Sequence, residues 1–325
     1  MVEFGGWEMP VYYVGINEEH RAVRARAGIF DVSHMCRVEV TGSGAQNLLR
    51  RALAGDVDRL EEGQAQYTFL CNEKGGIIDD LIVYRLPEGR WLLVVNAGHV
   101  AEDVAALKAL KVRGATITDT SAATGMIALQ GPVALELLAD IWQKKAPAPD
   151  TIPAFHVVER TVAGIPCIVA RTGYTGEPGV ELICAADRAG DLWDAILARR
   201  EHGVVPSGLG ARDTLRLEMG YPLHGHELSR EITPVQARLG WAVGWDKPAF
   251  PGRAALVAEK ASGPRRVLRG LLAEGRGIPR AELAVMRDGR QIGVTTSGTF
   301  SPTLRMGIAL ALLEPSVQED RKSTR

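Results

Sequence analysis

The stretch QYTFLCNEKGGIIDDLIVYRLPEGRWLLVV, residues 66–95, predicts three consecutive β-strands joined by two tight turns. Apolar and β-branched residues dominate 66–71, 77–86 and 91–95, which is the composition of strands within a sheet. The NEKGG and PEGR segments between them supply the asparagine, glycine and proline residues that hairpin turns require. We therefore expect an antiparallel meander at this point of the chain.

Helices and further strands flank this meander on both sides. Residues 37–40 alternate polar and apolar side chains and predict a strand, and Ser43 then caps an amphipathic helix that closes at Gly55. A helix is predicted over about 99–110 and a strand near 115–118. The order strand, helix, three strands, helix, strand predicts an α+β fold with antiparallel sheets and a ferredoxin-like lobe at about 37–120.

The rest of the chain continues this mixture of elements. Near the N-terminus, Asn17 and the two acids after it predict the start of a helix that ends at Gly28. Further helices and strands are predicted at these approximate positions: a helix from Pro132, strands at 156–163, 165–171 and 179–184, and helices at 192–197 and 209–219. Beyond Trp245 short strands and turns predict a small all-β domain, so we expect one domain over 1–245 and a second over 246–325.

Composition excludes several classes of protein. The 325 residues are 46% hydrophobic and 24% charged with a net charge of −1, which is ordinary for a soluble globular protein and favours neither nucleic acid nor membrane as a partner. The N-terminus lacks the pattern of a signal peptide, and no apolar stretch is long enough to span a bilayer. Arginine outnumbers lysine and alanine is abundant, so we expect a cytoplasmic bacterial protein.

The cysteine and histidine residues do not predict a metal site. Cys36, Cys71, Cys167 and Cys184 show no metal-ligand spacing and no disulfide framework, so reduced thiols are expected. Apart from His224 and His226, the histidines are scattered along the sequence. His34 is a candidate catalytic residue, although a single histidine is more often structural.

Two adjacent carboxylates, Asp79 and Asp80, interrupt the apolar strand predicted over 77–86. Neighbours in a strand point to opposite faces, so each acid shares its face with isoleucine or leucine residues. A buried carboxylate is costly unless it is paired or hydrogen-bonded. Either one acid reaches solvent while the other forms a structural ion pair, or one of them is functional, and spacing does not decide which.

Two arginines and one loop also suggest a binding site. Arg212 and Arg216 lie four residues apart on one helical face, and Arg212 falls in the first helical turn, where the helix dipole disfavours a cation. The compensating anion is Asp213, Glu218, another segment or a ligand. The loop 173–179 contains three glycines and leads to Glu181. It matches neither a dinucleotide fingerprint nor a P-loop, so its sequence leaves open whether it is an ordinary turn or part of a site.

Taken together, segments along the chain resemble the aminomethyltransferase family, the T-proteins of the glycine cleavage system. They occur in family order across nearly the whole chain: GWEMP at 6–10, FDVSHM at 30–35, NEKGGIIDDL at 72–81, ALQGP at 128–132, RTGYTGE at 171–177, GLGARDTLRLE at 208–218, and TSG at 296–298 with SP at 301–302. Any one segment is a weak signal, whereas the ordered set is specific.

The resemblance implies a three-lobed fold with tetrahydrofolate in a central opening and a C-terminal β-barrel. It implies transfer of the methylene carbon from an aminomethyl group on the lipoyl arm of H-protein to tetrahydrofolate, with release of ammonia and without a metal. Asp80 matches the essential carboxylate of the family. The matched folate-binding positions are Glu181 and Arg212, and those that line the pocket are Tyr67, Met35, Tyr84 and Tyr174.

The sequence also departs from the family pattern. The segment before GWEMP is nearly absent, the family's aromatic pair is replaced by Ala154, Phe155 and His156, and the polar tail 318–325 replaces further barrel strands. An incomplete barrel is therefore expected. Two alternatives stay open: another tetrahydrofolate-dependent demethylase on the same fold, and a folate-binding paralogue without transferase activity. The iron–sulfur-linked branch of such paralogues is disfavoured because the loop 173–179 contains no cysteine.

Overall fold

The computed structural model describes residues 1–317, and the polar tail 318–325 lies outside the described residues. The strands are β1 Val2–Phe4, β2 Trp7–Met9, β3 Ala27–Asp31, β4 Cys36–Thr41, β5 Ala65–Cys71, β6 Ile77–Arg85, β7 Trp91–Val95, β8 Thr116–Asp119, β9 Thr124–Gln130, β10 Val157–Val162, β11 Ile165–Ala170, β12 Gly179–Ala185, β13 Val204–Pro206, β14 Val267–Leu272, β15 Ala284–Arg287, β16 Arg290–Ser301 and β17 Met306–Leu313. The helices are α1 Ile16–Ala25, α2 Ala45–Ala52, α3 Val100–Ala109, α4 Ala134–Asp140, α5 Ala189–Leu197, α6 Leu209–Glu218 and α7 Arg253–Ser262.

The backbone divides into two compact units that interleave along the sequence. The first consists of Met1–Ala52, Val57–Tyr67 and Leu81–Leu215, and the second of Leu53–Asp56, Thr68–Asp80 and the chain from Arg216 onward. The division therefore falls inside β5, β6 and α6. No helix in residues 1–317 has both the length and the apolar composition that crossing a membrane requires.

The first unit is built on a six-stranded sheet with the order β10-β11-β12-β9-β3-β13. Its strand pairs are antiparallel, except that β13 runs parallel to β3. One face packs against α4 and α5, and the other packs against α1, α6 and strands β6 and β7 of a five-stranded sheet. Since both faces are covered, β9 and β12 are buried along almost their whole length.

The five-stranded sheet confirms the meander predicted from residues 66–95. Its order is β5-β6-β7-β4-β8, and α2 and α3 occupy their predicted places in the sequence. At the β5–β6 turn, Asn72 accepts a hydrogen bond from the Gly75 N–H through its carbonyl, and its side chain accepts another from the Lys74 N–H. Gly75 has φ +83°, a left-handed conformation that favours glycine.

The second unit contains an antiparallel sheet with the order β14-β17-β16-β15, in which β17 is almost entirely buried. Within residues 1–317 these strands form an open sheet rather than a closed barrel. The expectation of only strands and turns beyond Trp245 is wrong for Arg253–Ser262, which forms α7. This alanine-rich helix is bounded by Gly252 and Gly263, both with left-handed φ, and its Leu256 is fully buried.

The predicted end of the first helix at Gly28 is also wrong, because α1 stops at Ala25 and Gly28 lies within β3. A Cβ atom at Gly28 would lie 2.3 Å from the Val23 side chain and 2.8 Å from that of Ser207. Glycine is needed there because β3 passes very close to its neighbours, not because a helix ends. The sequence pattern also missed β1, β2, β3, β9, β13 and β17, most of which are short or buried on both faces.

Candidate functional site

Glu181 is a carboxylate within the buried strand β12 and is only 7% exposed. Its neighbours Val180 and Leu182 point into the core beneath α4 and α5. By strand alternation, Glu181 faces the other side, where Ile183 and Ala170 pack with residues of the five-stranded sheet. A carboxylate in such surroundings is stable only if the protein or a ligand supplies hydrogen-bond donors and positive charge.

Two hydroxyl groups hold this carboxylate. The Thr172 Oγ1 hydroxyl donates to Glu181 Oε2, and the Tyr84 hydroxyl lies 3.1 Å from Thr172 Oγ1. Because the single proton of Thr172 is used on Glu181, the Tyr84 hydroxyl is the donor in the second bond. The result is a buried chain of hydrogen bonds that runs from Tyr84 through Thr172 to Glu181.

Electrostatics around Glu181 act in opposite directions. Burial raises the pKa of Glu181, while the hydrogen bond from Thr172, the charge of Arg212 and the Tyr84 hydroxyl lower it. Burial, together with the nearby Glu181 charge, raises the pKa of Tyr84 well above its ordinary value, so its hydroxyl keeps its proton. Glu181 is thus a hydrogen-bond acceptor that Thr172 holds in position.

Arg212, in the first turn of α6, supplies the positive charge of the site. Its guanidinium carbon lies 4.8 Å from the ring centroid of Tyr174, which is a cation–π geometry. The loop 173–179 therefore contacts Arg212 through Tyr174. A planar guanidinium beside an aromatic face and a buried carboxylate can bind a flat heterocycle with polar edges.

His34 is buried next to this charge and is a neutral imidazole. Burial and the positive charges of Arg212 and Arg37 lower the pKa of His34 to about 3. Its ring meets Phe4 edge-on, with centroids 5.4 Å apart, and its Nδ1 atom has no hydrogen-bond partner among the described residues. His34 therefore cannot act as a protonated acid near neutral pH.

The loop 173–179 is anchored by Gln130 and Arg24. The Thr175 hydroxyl donates to the Gln130 side chain, whose amide in turn donates to the Thr172 carbonyl. Arg24 donates to the Thr175 carbonyl and to Glu177. A Cβ atom at residue 173 would lie 2.0 Å from the Gln130 side-chain oxygen, so the loop can approach this closely only with glycine.

Met35 and Tyr67 are the other first-unit residues predicted to line the pocket. Met35 is half-buried and packs against the same core as Tyr84. Tyr67 is half-buried on β5. The structure thus brings together Glu181, Tyr84, Arg212 and Tyr174 through direct contacts or electrostatics, and places Met35 in the adjoining core.

The two aspartates of β6 belong to the second unit, and the strand separates them as alternation predicts. Asp79 is fully buried, and its Oδ1 lies 3.9 Å from Nε2 of His224. Asp80 is half-buried on the opposite face of the strand. Asp79 therefore fits a structural role, which leaves Asp80 as the more accessible carboxylate.

Arg216 has a structural partner and is not part of the hydrogen-bond chain formed by Glu181, Thr172 and Tyr84. It is 2% exposed and donates to Glu227 at 3.0 Å, to the Tyr221 carbonyl at 3.2 Å and to the Ser297 hydroxyl at 2.9 Å. Glu218, an anion considered from the sequence, instead accepts hydrogen bonds from Thr303 and Ser301. The anion that compensates the charge of Arg216 is Glu227, which the helical spacing of the arginines could not identify.

Sequence reasoning missed the roles of Thr172, Gln130 and Arg24. Thr172 and Gln130 stand inside the RTGYTGE and ALQGP segments, so only their position in a family pattern marked them. Thr172 contacts Glu181 and Tyr84, which lie 9 and 88 residues away, and Arg24 contacts Thr175, 151 residues away. Local periodicity does not report contacts over such separations.

Comparison with known proteins agrees with this architecture. The family model of the GCVT N-terminal domain matches residues 1–247, and that of the glycine cleavage T-protein C-terminal barrel domain matches residues 266–324. Aminomethyltransferase from Frankia alni is 52% identical over 323 residues, which cover 98% of this chain and 87% of that protein. Aminomethyltransferase from Mycobacterium tuberculosis is 50% identical over 313 residues, 96% of this chain and 84% of that protein.

A solved structure extends the likeness to three dimensions. The crystal structure of glycine cleavage system aminomethyltransferase T from Bartonella henselae superposes with a TM-score of 0.89 at 36% sequence identity. The match covers 96% of this chain and 85% of that one. Family models, relatives and fold agree along nearly the whole length, and the chain therefore belongs to the glycine cleavage T-protein family of aminomethyltransferases.

Proposed function

We propose that this chain transfers the methylene carbon of an aminomethyl group, held on the lipoyl arm of H-protein, to tetrahydrofolate and releases ammonia. The observation that carries the proposal is the buried Glu181 carboxylate, held by Thr172 and under the influence of the Arg212 charge. Membership of the aminomethyltransferase family supports the reaction class. The bacterial cytoplasm as location and the absence of a metal stay predictions from the sequence.

Glu181 is proposed to bind the pterin ring of tetrahydrofolate. The pterin edge carries amino and ring N–H donors, and a fixed carboxylate accepts two of them in the plane of the ring. Arg212 donates hydrogen bonds to the folate, and Tyr67, Met35 and Tyr174 contribute apolar or aromatic surface. Tyr84, also predicted to line the pocket, is fully buried and acts on Glu181 through Thr172. Because Thr172 already restrains one oxygen of Glu181, little rotamer entropy is lost when the ligand binds.

Asp80 is proposed as the catalytic carboxylate. Cleavage of the carbon–sulfur bond leaves an iminium-like carbon that a ring nitrogen of tetrahydrofolate attacks. Positive charge develops at this centre, and a fixed carboxylate stabilises it and orients the attacking amine. Asp79 is disfavoured for this role because it is fully buried beside His224.

Glu181→Gln tests the binding half of the proposal. The amide keeps the shape of the side chain but removes the charge and replaces one acceptor oxygen with an NH₂ group. Losing a charge-assisted hydrogen bond costs about 1.5–3 kcal/mol, so the Kd for tetrahydrofolate is expected to rise by roughly 10–100-fold. Glu159→Gln, the same change at an exposed position of the edge strand β10, is the control and is expected to leave Kd unchanged. Equal Kd values for both variants would contradict the role of Glu181.

Asp80→Asn tests the catalytic half. Turnover in a glycine cleavage assay with lipoylated H-protein is expected to fall by about 10²–10³, the usual effect of removing one preorganised electrostatic group. Calorimetric binding of tetrahydrofolate is expected to stay within about 3-fold of wild type, because Glu181 and Arg212 are intact. Wild-type turnover by Asp80→Asn would refute its role.

Omitting H-protein distinguishes the proposal from its alternatives. Formation of methylenetetrahydrofolate is expected only when lipoylated H-protein is present. Product formed from a small methylated donor without H-protein would indicate another folate-dependent demethylase. Tetrahydrofolate binding without any turnover would indicate a non-catalytic paralogue.

A further inference from the structure

Two cysteines that are far apart in sequence face each other across strands β11 and β12. The antiparallel register pairs Ile168 with Ile183, and extending this register by one residue places Cys167 opposite Cys184. Both side chains are about as buried as the surrounding core, at 5% and 4% exposure. The Cys167 thiol donates a hydrogen bond to the Ile165 carbonyl, and both cysteines line the same cavity.

The backbone geometry of such a pair suits a disulfide bond. Directly opposed residues of antiparallel strands have Cα atoms about 4.5–5.5 Å apart, within the roughly 4.4–6.8 Å range that disulfides span. The bond therefore requires little backbone movement. Cys36 and Cys71 are not opposite another cysteine in the registers of their strands.

The two thiols are not equivalent in reactivity. The neighbouring Cys167 thiol and the positive charge of Arg188 lower the pKa of Cys184, against the upward effect of burial. The neighbouring Cys184 thiol and burial raise the pKa of Cys167. The thiolate is the reactive form of cysteine, so we expect Cys184 to be the attacking sulfur and Cys167 the resolving one.

A small oxidant can reach this pair. A cavity of about 470 Å³ is lined by both cysteines and by polar residues of the neighbouring strand and loop, among them Glu159, Thr161 and Gln143. Glu159 is exposed, which shows that this cavity opens to solvent. The cavity has ample room for a hydroperoxide.

We propose that Cys167 and Cys184 form a reversible intramolecular disulfide when a hydroperoxide oxidises the protein. The Cys184 thiolate attacks a peroxide oxygen, so an S–O bond forms, the O–O bond breaks and one water or alcohol leaves. The Cys167 sulfur then attacks the sulfenic acid, so the S–S bond forms, the S–O bond breaks and the hydroxide leaves with the Cys167 proton as water. Two electrons pass from the two sulfurs to the peroxide.

The disulfide closes a loop that carries much of the Glu181 site. The segment between the two cysteines contains Thr172, Tyr174 and Glu181. A covalent tie across β11 and β12 restrains this hairpin against local opening. Amide hydrogen exchange over residues 168–183 is therefore expected to slow in the oxidised protein, and reduction with a dithiol is expected to restore the original rate.

Peroxide titration of the reduced full-length protein tests the proposal. With one equivalent of hydrogen peroxide, the intact mass is expected to fall by about 2 Da. Two of the four cysteines are then expected to resist alkylation after denaturation, and peptide mapping is expected to find Cys167 joined to Cys184. Four alkylatable thiols, modification confined to Cys36, or cross-linked dimers would each overturn the proposal.

Cysteine variants separate the two roles. Cys167→Ser is expected to stop at a sulfenic acid on Cys184 that dimedone labels, whereas Cys184→Ser is expected to leave Cys167 unmodified at the same peroxide dose. Cys71→Ser changes another buried cysteine and is expected to form the disulfide as wild type does. Cys184→Ala replaces Cys184→Ser if the buried hydroxyl impairs folding. Equal dimedone labelling of Cys167 and Cys184 in the two serine variants would refute the assignment.

Discussion

Replacing Thr172 with valine is the most direct test of the hydrogen-bond chain around Glu181. Valine keeps the branched shape of threonine but has no hydroxyl. The change therefore removes both the donor to Glu181 Oε2 and the acceptor for the Tyr84 hydroxyl, with little change in packing. Both partners stay buried, because Tyr84 is fully buried and Glu181 is 7% exposed.

The size of the effect follows from the two bonds. A hydrogen bond to a charged group contributes about 1.5–3 kcal/mol and one between neutral groups about 0.5–1.5 kcal/mol. The two bonds share one hydroxyl and are not additive, so we expect the free energy of unfolding to fall by about 2–4 kcal/mol near neutral pH. Thr172→Ser keeps the hydroxyl and loses one methyl group, which costs about 0.8 kcal/mol.

The effect is expected to depend on pH. The Thr172 hydrogen bond lowers the pKa of Glu181 against the larger upward effect of burial, so removing the bond raises that pKa further. An acid whose pKa is raised by folding binds a proton more readily in the folded state. The stability of the protein therefore falls as pH rises from the ordinary glutamate range through the folded-state pKa. The deficit of Thr172→Val is therefore larger above the folded pKa of Glu181 than below it.

Urea unfolding of both variants at about pH 5 and about pH 8 measures this difference. Hydrogen exchange at Glu181 and its strand neighbours supplies a local readout that does not require two-state unfolding of the whole chain. Equal stability of Thr172→Val and Thr172→Ser at both pH values would refute the role of the Thr172 hydroxyl. A deficit of Thr172→Val that shrank as pH rose would contradict the assigned direction of the bond.

Three other predictions follow from buried charge, close backbone approach and a neutral histidine. Arg216→Ala leaves buried Glu227 uncompensated and is expected to lower the free energy of unfolding by about 3–5 kcal/mol. The double variant Arg216→Met with Glu227→Gln is expected to recover most of this loss. Equal urea midpoints for the single and the double variant would argue against a buried ion pair. Gly173→Ala is expected to lower the free energy of unfolding by about 1–3 kcal/mol and to weaken tetrahydrofolate binding, because the new Cβ atom meets the Gln130 side chain. Gly190→Ala, at a position of α5 with open space around it, is the control and is expected to raise the free energy of unfolding by about 0.5–1 kcal/mol. His34 is expected to stay neutral in an NMR titration down to about pH 4. Because the unfolded chain protonates this histidine more readily, the free energy of unfolding is expected to fall below the unfolded-state pKa, by at most about 1.4 kcal/mol per pH unit. A His34 ring that titrates near its ordinary pKa would disprove this.

The sequence by itself determined the local elements and the family. Residues 66–95 carry their strand and turn signals within short windows, and the structure has β5, β6 and β7 there. The ordered motifs sufficed to assign the aminomethyltransferase family, which the comparisons confirm, because each motif preserves both residue type and spacing. Asp80, Glu181 and Arg212 were singled out as site residues in the same way, and their roles stay predictions until the variants are measured.

Only the tertiary structure decided which side chains meet. Helical spacing predicted only that Arg212 and Arg216 lie on one face of α6. In the structure Arg216 forms an ion pair with Glu227, whereas Arg212 lies over the ring of Tyr174. The thiols of Cys167 and Cys184 are neighbours only because of the register of β11 and β12. The physical reason is that periodicity reports the face on which a residue lies, whereas sheet register and packing between distant segments choose its partner.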